Sequence, residues 1–191
     1  MSTRTLTGTA VLLALGVMLP IAFHALPLGG RVFQPMHVPA LLAGLLLGPA
    51  AGLIVGAGSP VLSLLLTGRP PVPLMIPMAL ELATYGLVAG IARPRVERLI
   101  GARTLAAASE PPSPARGSHA LPALLVTLLV AMIAGRAVWI AVVVWLAPLV
   151  GIPGRTTALA LAALNAGWLG VAIQLALIPA IVRAIERPRI P

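Results

Sequence analysis

Glu81 and Arg136 are the two ionisable side chains that stand deep inside long apolar runs of this sequence, and Asn165 occupies a comparable position in a third run. Each has an aromatic companion three or four residues along, which on a helix means the same face: Glu81 with Tyr85, Arg136 with Trp139, Asn165 with Trp168. The chain contains six aromatic residues, so half of them fall in these three positions, which favours a shared pocket over scattered placement. Mostly apolar walls with a few converging polar groups are what a small organic ligand requires. The plainer alternative is a structural Glu81 to Arg136 ion pair with the tryptophans as filler or interface anchors, and both readings can hold together.

The elements that must position these residues are membrane helices. Of 191 residues 59% are hydrophobic and 9% charged, a balance that a soluble domain does not reach. Four stretches exceed the roughly 20 apolar residues a span needs: Leu6 to Phe23, Val72 to Ala92, Leu121 to Val150 and Thr157 to Val182. Val38 to Leu66 is too long for one straight span and is interrupted at Gly48-Pro49, where proline disfavours helical geometry before it and removes a backbone donor. It divides into helices over 38–48 and 49–66. The expected fold is an all-α integral membrane protein of six transmembrane helices forming one domain, with five spans as the alternative.

All thirteen cationic side chains are arginine, and the acids are Glu81, Glu97, Glu110 and Glu186, giving a net charge of +9. The arginines lie between apolar runs, so they read as topology signals and not as a nucleic-acid surface. Five of them fall between Arg93 and Arg116 and three in the tail, Arg183, Arg187 and Arg189. Six helices put both regions and both termini in the cytoplasm, with Arg31, Arg69 and Arg155 opposite. Residues 103–119 include a proline-rich, low-complexity stretch that reads as a flexible linker. Ala22-Phe-His-Ala25 loosely resembles a signal cleavage site, but the apolar core before it is longer than a signal's usual run of about 7 to 15 residues. With a rise of about 1.5 Å per residue, Glu81 and Asn165 lie roughly 12 to 14 Å below the outer surface and Arg136 roughly 20 Å, so the three can meet in the outer half.

Two patterns concern contacts between helices. Gly44, Gly48, Gly52 and Gly56 recur every four residues and read as tight packing within the bundle. Ala10 and Ala14 form a small-xxx-small pair on the first helix, with Gly8 and Gly16 nearby. Gln174 and Trp145 are half a turn out of phase with Asn165 and Arg136, and read as packing or interface residues. The loop from His24 to His37 holds Arg31 and Gln34 and is placed to close over a pocket. His24 and His37 raise a metal centre, but with no cysteine or aspartate in the chain ligands are scarce, and neither a metal nor another cofactor is expected. A chain without lysine cannot supply a Walker-type phosphate loop, so any use of ATP must come through partners.

The order LP-x-x-FH (Leu19 to His24), GG-x-x-F-x-PMH-x-P (Gly29 to Pro39), LLAGLLLGP-x-x-G (Leu41 to Gly52), SP-x-x-S-x-LLTG-x-PP (Ser59 to Pro71) and EL-x-x-YG (Glu81 to Gly86) resembles the substrate-specificity subunits, or S components, of energy-coupling factor (ECF) transporters. The resemblance is dense over the first half and thinner afterwards, where Gly135-Arg136 and IQL-x-LIP (Ile173 to Pro179) continue it. It implies a six-helix fold, a vitamin-like ligand bound near the outer face, and partnership in the plasma membrane with a membrane coupling subunit and two cytoplasmic ATPase subunits. It also implies docking through Ala10 and Ala14, and ligand walls formed by the loop before the second helix and by helices four to six. Ser2 and Thr3 depart from the methionine-histidine start of the nickel and cobalt branch. The expected substrate-binding residues are therefore His24, Arg31, Gln34, His37, Arg69, Glu81, Tyr85, Arg136, Trp139, Asn165 and Trp168. The arginines would suit a carboxylate or phosphate and the aromatic faces a flat ring, which leaves riboflavin, thiamine, biotin, pantothenate and a cobalamin precursor all open. A gradient-driven carrier with Glu81 as proton site, and a membrane-embedded enzyme pairing Glu81 with a histidine, are the competing expectations.

Overall fold

A computed structural model describes residues 1–24, 34–107, 120–145 and 156–186, with the backbone alone at 24, 103–107, 120 and 156–167. Among the described residues 93% are helical and none is in a strand. The helices are α1 (Thr3–His24), α2 (His37–Leu47), α3 (Pro49–Thr67), α4 (Val72–Ala107), α5 (Ala120–Trp145) and α6 (Thr156–Glu186). All but α2 contain a stretch long and apolar enough to cross a membrane.

The break at Gly48-Pro49 has a local backbone cause. Gly48 adopts φ +98°, a conformation that side-chain-bearing residues avoid, and its N–H closes α2 on the Gly44 carbonyl at 3.1 Å. Pro49 then starts α3, where its missing N–H costs nothing because the first helical donors have no partner within the helix. What remains of the first piece is short: α2 has 11 residues, about 16 Å of rise, against the roughly 20 residues of a full span. It is also the most enclosed helix, buried at His37 and from Pro39 through Leu45, with α1, α3, α4 and α6 packed around it. Apolar residues on every side suit a helix with no outward face.

Glycine lets α2, α3 and α4 approach to backbone contact. A Cβ added to Gly44 or Gly52 would collide with the Gly86 carbonyl, and one on Gly56 with that of Leu82. On α4, Gly86 meets the Gly52 backbone in return, and Gly90 lies against Gly48 and Pro49. With no hydrophobic drive between helices in lipid, such close contact is a leading source of association. The expected glycine run thus packs the bundle at three of its four positions, while Gly48 serves the break.

Helix α1 has two different faces. Gly16, Val17 and Pro20 are buried, and Gly16 lies so close to Ser59 of α3 that a side chain there would displace the serine. Leu6, Ala10, Ala14 and Met18, spaced by four, are exposed on the opposite side.

Helix α4 runs well past Ala92, through 36 residues to Ala107. The apolar run ends at Ala92 and the linker is expected over 103–119, yet Pro94 is accommodated within the helix, the following RVERLIGAR continues it, and 103–107 are helical, with 108–119 outside the described residues. Proline already holds a helical φ, and Arg, Glu and Leu favour the conformation. Arg93 gains partners from this. Its guanidinium bonds the Leu45 carbonyl at the end of α2 at 2.8 Å, Glu97 at 2.8 Å, and Glu186 of α6 at 2.7 and 2.9 Å. One side chain therefore joins α2, α4 and α6 at one end of the bundle.

Candidate functional site

The spacing of Glu81 and Tyr85 on α4 brings the phenol OH to donate to the Glu81 carboxylate at 2.9 Å. From α5, Arg136 approaches the same carboxylate oxygen at 3.1 Å. The pair is enclosed, with side-chain exposures of 4% for Glu81 and 15% for Arg136, so each ion depends on the other to offset lost hydration. The Arg136 guanidinium carbon lies 6.0 Å from the ring centre of buried Trp139, at the outer limit of a cation–π contact. Gly135 makes room for this arrangement: a Cβ there would run into the Tyr85 ring and stand 2.9 Å from the Glu81 carbonyl oxygen. The Gly135-Arg136 pair thus does two jobs, since the glycine admits the ring and the arginine meets the acid.

His37 begins α2 beside this cluster, with its ring centre 5.2 Å from that of Tyr85 and the planes inclined at 50°. It is buried, and neither ring nitrogen has a hydrogen-bond partner among the described residues. Three helices therefore contribute to one buried polar and aromatic group: His37 from α2, Glu81 and Tyr85 from α4, Arg136 and Trp139 from α5.

The remaining expected residues fall elsewhere or outside the described region. Arg69 is exposed and lines a separate hollow of about 340 Å³ with Pro20, Ile21, Ser63 and Thr67, between α1 and the end of α3. Gln34 sits in the turn before α2 with φ +44°, and its carbonyl accepts the His37 N–H at 3.1 Å. Trp168 is 68% exposed, so its ring is not enclosed with the others. The inward face of α6 is instead that of Gln174, Ile178 and Val182, each fully buried. A large apolar ring is stable against lipid as well as inside a bundle, so aromatic character did not distinguish the two faces of α6. His24 and Asn165 have side chains outside the described residues, as has the whole of Arg31.

Gly135 is the contributor that sequence reasoning misses, since it enters only as part of a motif; Gln174 is buried, in keeping with its reading as packing, and Arg93 lies along α4 toward Glu186, away from this group. The signal for Gly135 is its place four residues before Trp139 and next to the intramembrane Arg136; for Arg93 the sequence shows Glu97 four residues on, while Leu45 and Glu186 are brought in from other helices.

The profile of the family described as "ECF transporter, substrate-specific component" matches residues 4–185. The chain belongs to that family. No curated protein and no solved structure matches it significantly. As an S component it is a multi-pass protein of the plasma membrane, consistent with five helices able to cross a bilayer. Its role is that of the substrate-specific uptake component of an ECF transporter, associated with the other components of that system and with a substrate.

Proposed function

We propose that this S component captures a small micronutrient, a vitamin or vitamin precursor, with high affinity, and delivers it through an ATP-driven transporter. The observation that carries the proposal is the convergence of His37, Glu81, Tyr85, Arg136 and Trp139 from three helices in the interior of a mainly apolar bundle. Intramembrane ionisable groups are costly and cluster where a protein handles a solute. Gln34, His24 and Arg31 belong to the segment that closes over the bound solute, and Asn165 adds a contact from α6. Arg69, on its separate hollow, serves as an outer contact during entry.

Six spans with both termini in the cytoplasm fit the arginines of 93–116 and of the tail under the positive-inside rule. The exposed Leu6, Ala10, Ala14, Met18 stripe of α1 supports docking to the membrane coupling subunit, whose two ATPase partners supply energy that a chain without lysine cannot draw from a Walker site.

The test has two measurements. Mass spectrometry of the protein purified in mild detergent should find a bound micronutrient, and cells should accumulate it only when the ATPase module is co-expressed. Equal accumulation with and without the module would remove the ATP-driven reading.

A further inference from the structure

Two side chains in the bundle are buried with all their polar side-chain atoms unpartnered among the described residues. They are His37, at both ring nitrogens, and Gln174, at both its amide oxygen and its amide nitrogen. Nearly all buried polar groups in folded proteins have a partner, so these two require one. Their heights in the bundle agree. Arg93 fixes a common level by bonding Leu45 of α2 and Glu186 of α6. From that level His37 and Tyr85 each lie about 12 Å along their helices, and Glu81 and Gln174 each about 18 Å. Ile178, one turn from Gln174 on the same face, packs in the same buried cluster as Tyr85 and Leu41. Gln174 therefore faces inward at the height of the Glu81, Tyr85 and Arg136 group, with His37 one turn away.

We infer that His37 and Gln174 form an uncharged recognition wall that takes the neutral edge of the solute, where a hydrogen-bond donor stands beside an acceptor: a carboxamide, a lactam, a ureido group or a nitrogen heterocycle. This rests on the proposed capture of a solute at the cluster. A glutamine amide presents one acceptor and two donors, and a neutral imidazole one of each, so together they complement such an edge without supplying charge. The charge of Arg136 is already matched by Glu81, which removes the cation that a carboxylate or phosphate would seek. The Tyr85 ring, 5.2 Å from that of His37, adds an aromatic surface beside the wall.

The experiment uses the full chain in lipid nanodiscs, with nicotinamide and uracil as neutral probes and benzoate and phenyl phosphate as anionic ones, followed by tryptophan fluorescence. The neutral probes should saturate at concentrations at least about tenfold lower than the anions, and Gln174→Leu and His37→Phe should each weaken them by about tenfold, the loss of one hydrogen-bonded contact. Gln174→Asn, which keeps the amide but withdraws it, should weaken them too and provides the readout if the leucine variant does not fold. Anions that bind as tightly as the neutral probes, or neutral binding unchanged by these variants, overturn the wall. So does a Gln174→Leu protein of higher thermal stability when no probe binds the wild type, since Gln174 would then hold only structural water. A micronutrient that co-purifies equally with wild type and Gln174→Leu overturns the wall and leaves transport standing. Neutral probes bound at the wall of a protein that moves no solute have the opposite meaning: the wall stands and the transport reading fails.

Discussion

The seam that joins α2 and α3 to α4 and the seam that joins α4 to α5 use opposite means of contact on the same helix. The first is made by backbones meeting at Gly44, Gly52, Gly56, Gly86 and Gly90, where no side chain fits. The second is made by side chains that reach across: Arg136 to Glu81, with the Tyr85 ring laid over Gly135. A glycine seam has one geometry, because any sliding brings a Cβ or a carbonyl into collision. A seam of long polar side chains can exchange partners while its helices stay in place. The division suits a protein in which one part must be rigid and another must accept a visitor.

That contrast can be broken most strongly at the ion pair. Arg136→Leu leaves Glu81 buried without its partner and should lower stability by about 3 to 5 kcal/mol, read as a large drop in melting temperature in detergent. Glu81→Leu combined with Arg136→Leu should recover most of that loss, because removing both charges of a buried pair is often close to neutral. If the double variant is stable and still retains the co-purified solute, the pair is structural and the solute is held by the other groups of the cluster.

At the glycine seam, Gly86→Ala should cost about 1 to 3 kcal/mol, typical of overpacking, with loss of monodisperse protein as the readout. An alanine tolerated there without a stability change would show that α3 and α4 can separate, contrary to the rigid reading. Smaller again is Tyr85→Phe, which deletes the bond to Glu81 but keeps the ring over Gly135. It should cost about 1 kcal/mol in melting measurements while weakening solute retention more than stability. Smallest of the four is Arg93→Gln. Glu97 and Glu186 are roughly two-fifths exposed, so losing these pairs should cost under about 1 kcal/mol, and a larger loss would make the Leu45 carbonyl the dominant partner.

What could be read from the sequence follows the same division. The α2–α3 break was legible because glycine and proline act through their own backbone conformations, and the glycine spacing was legible because its consequence is local to a helix face. Glu81 with Tyr85 and Arg136 with Trp139 were legible as helical neighbours. The meeting of the two pairs was an inference from depth, and it is what the ion pair realises. His37 over Tyr85 and the three-helix grip of Arg93 were not legible, since each depends on how separate helices are arranged. On α6 the polar and aromatic cue selected the face of Trp168, whereas burial selects that of Gln174. The continuation of α4 past Pro94 was hidden because a proline and a group of arginines resemble the end of a span as much as its extension.

That extension has a mechanical meaning. A helix of 36 residues is about 54 Å long, while the hydrocarbon layer is about 30 Å thick, so α4 is longer than one crossing needs, and Pro94 stands at the root of its extension. Glu81 is near one end of the helix, and Arg95, Glu97 and Arg98 ride on the extension. Pro94 has no N–H to offer the Gly90 carbonyl, so the extension is joined to the rest of the helix by one hydrogen bond fewer than a regular helix has.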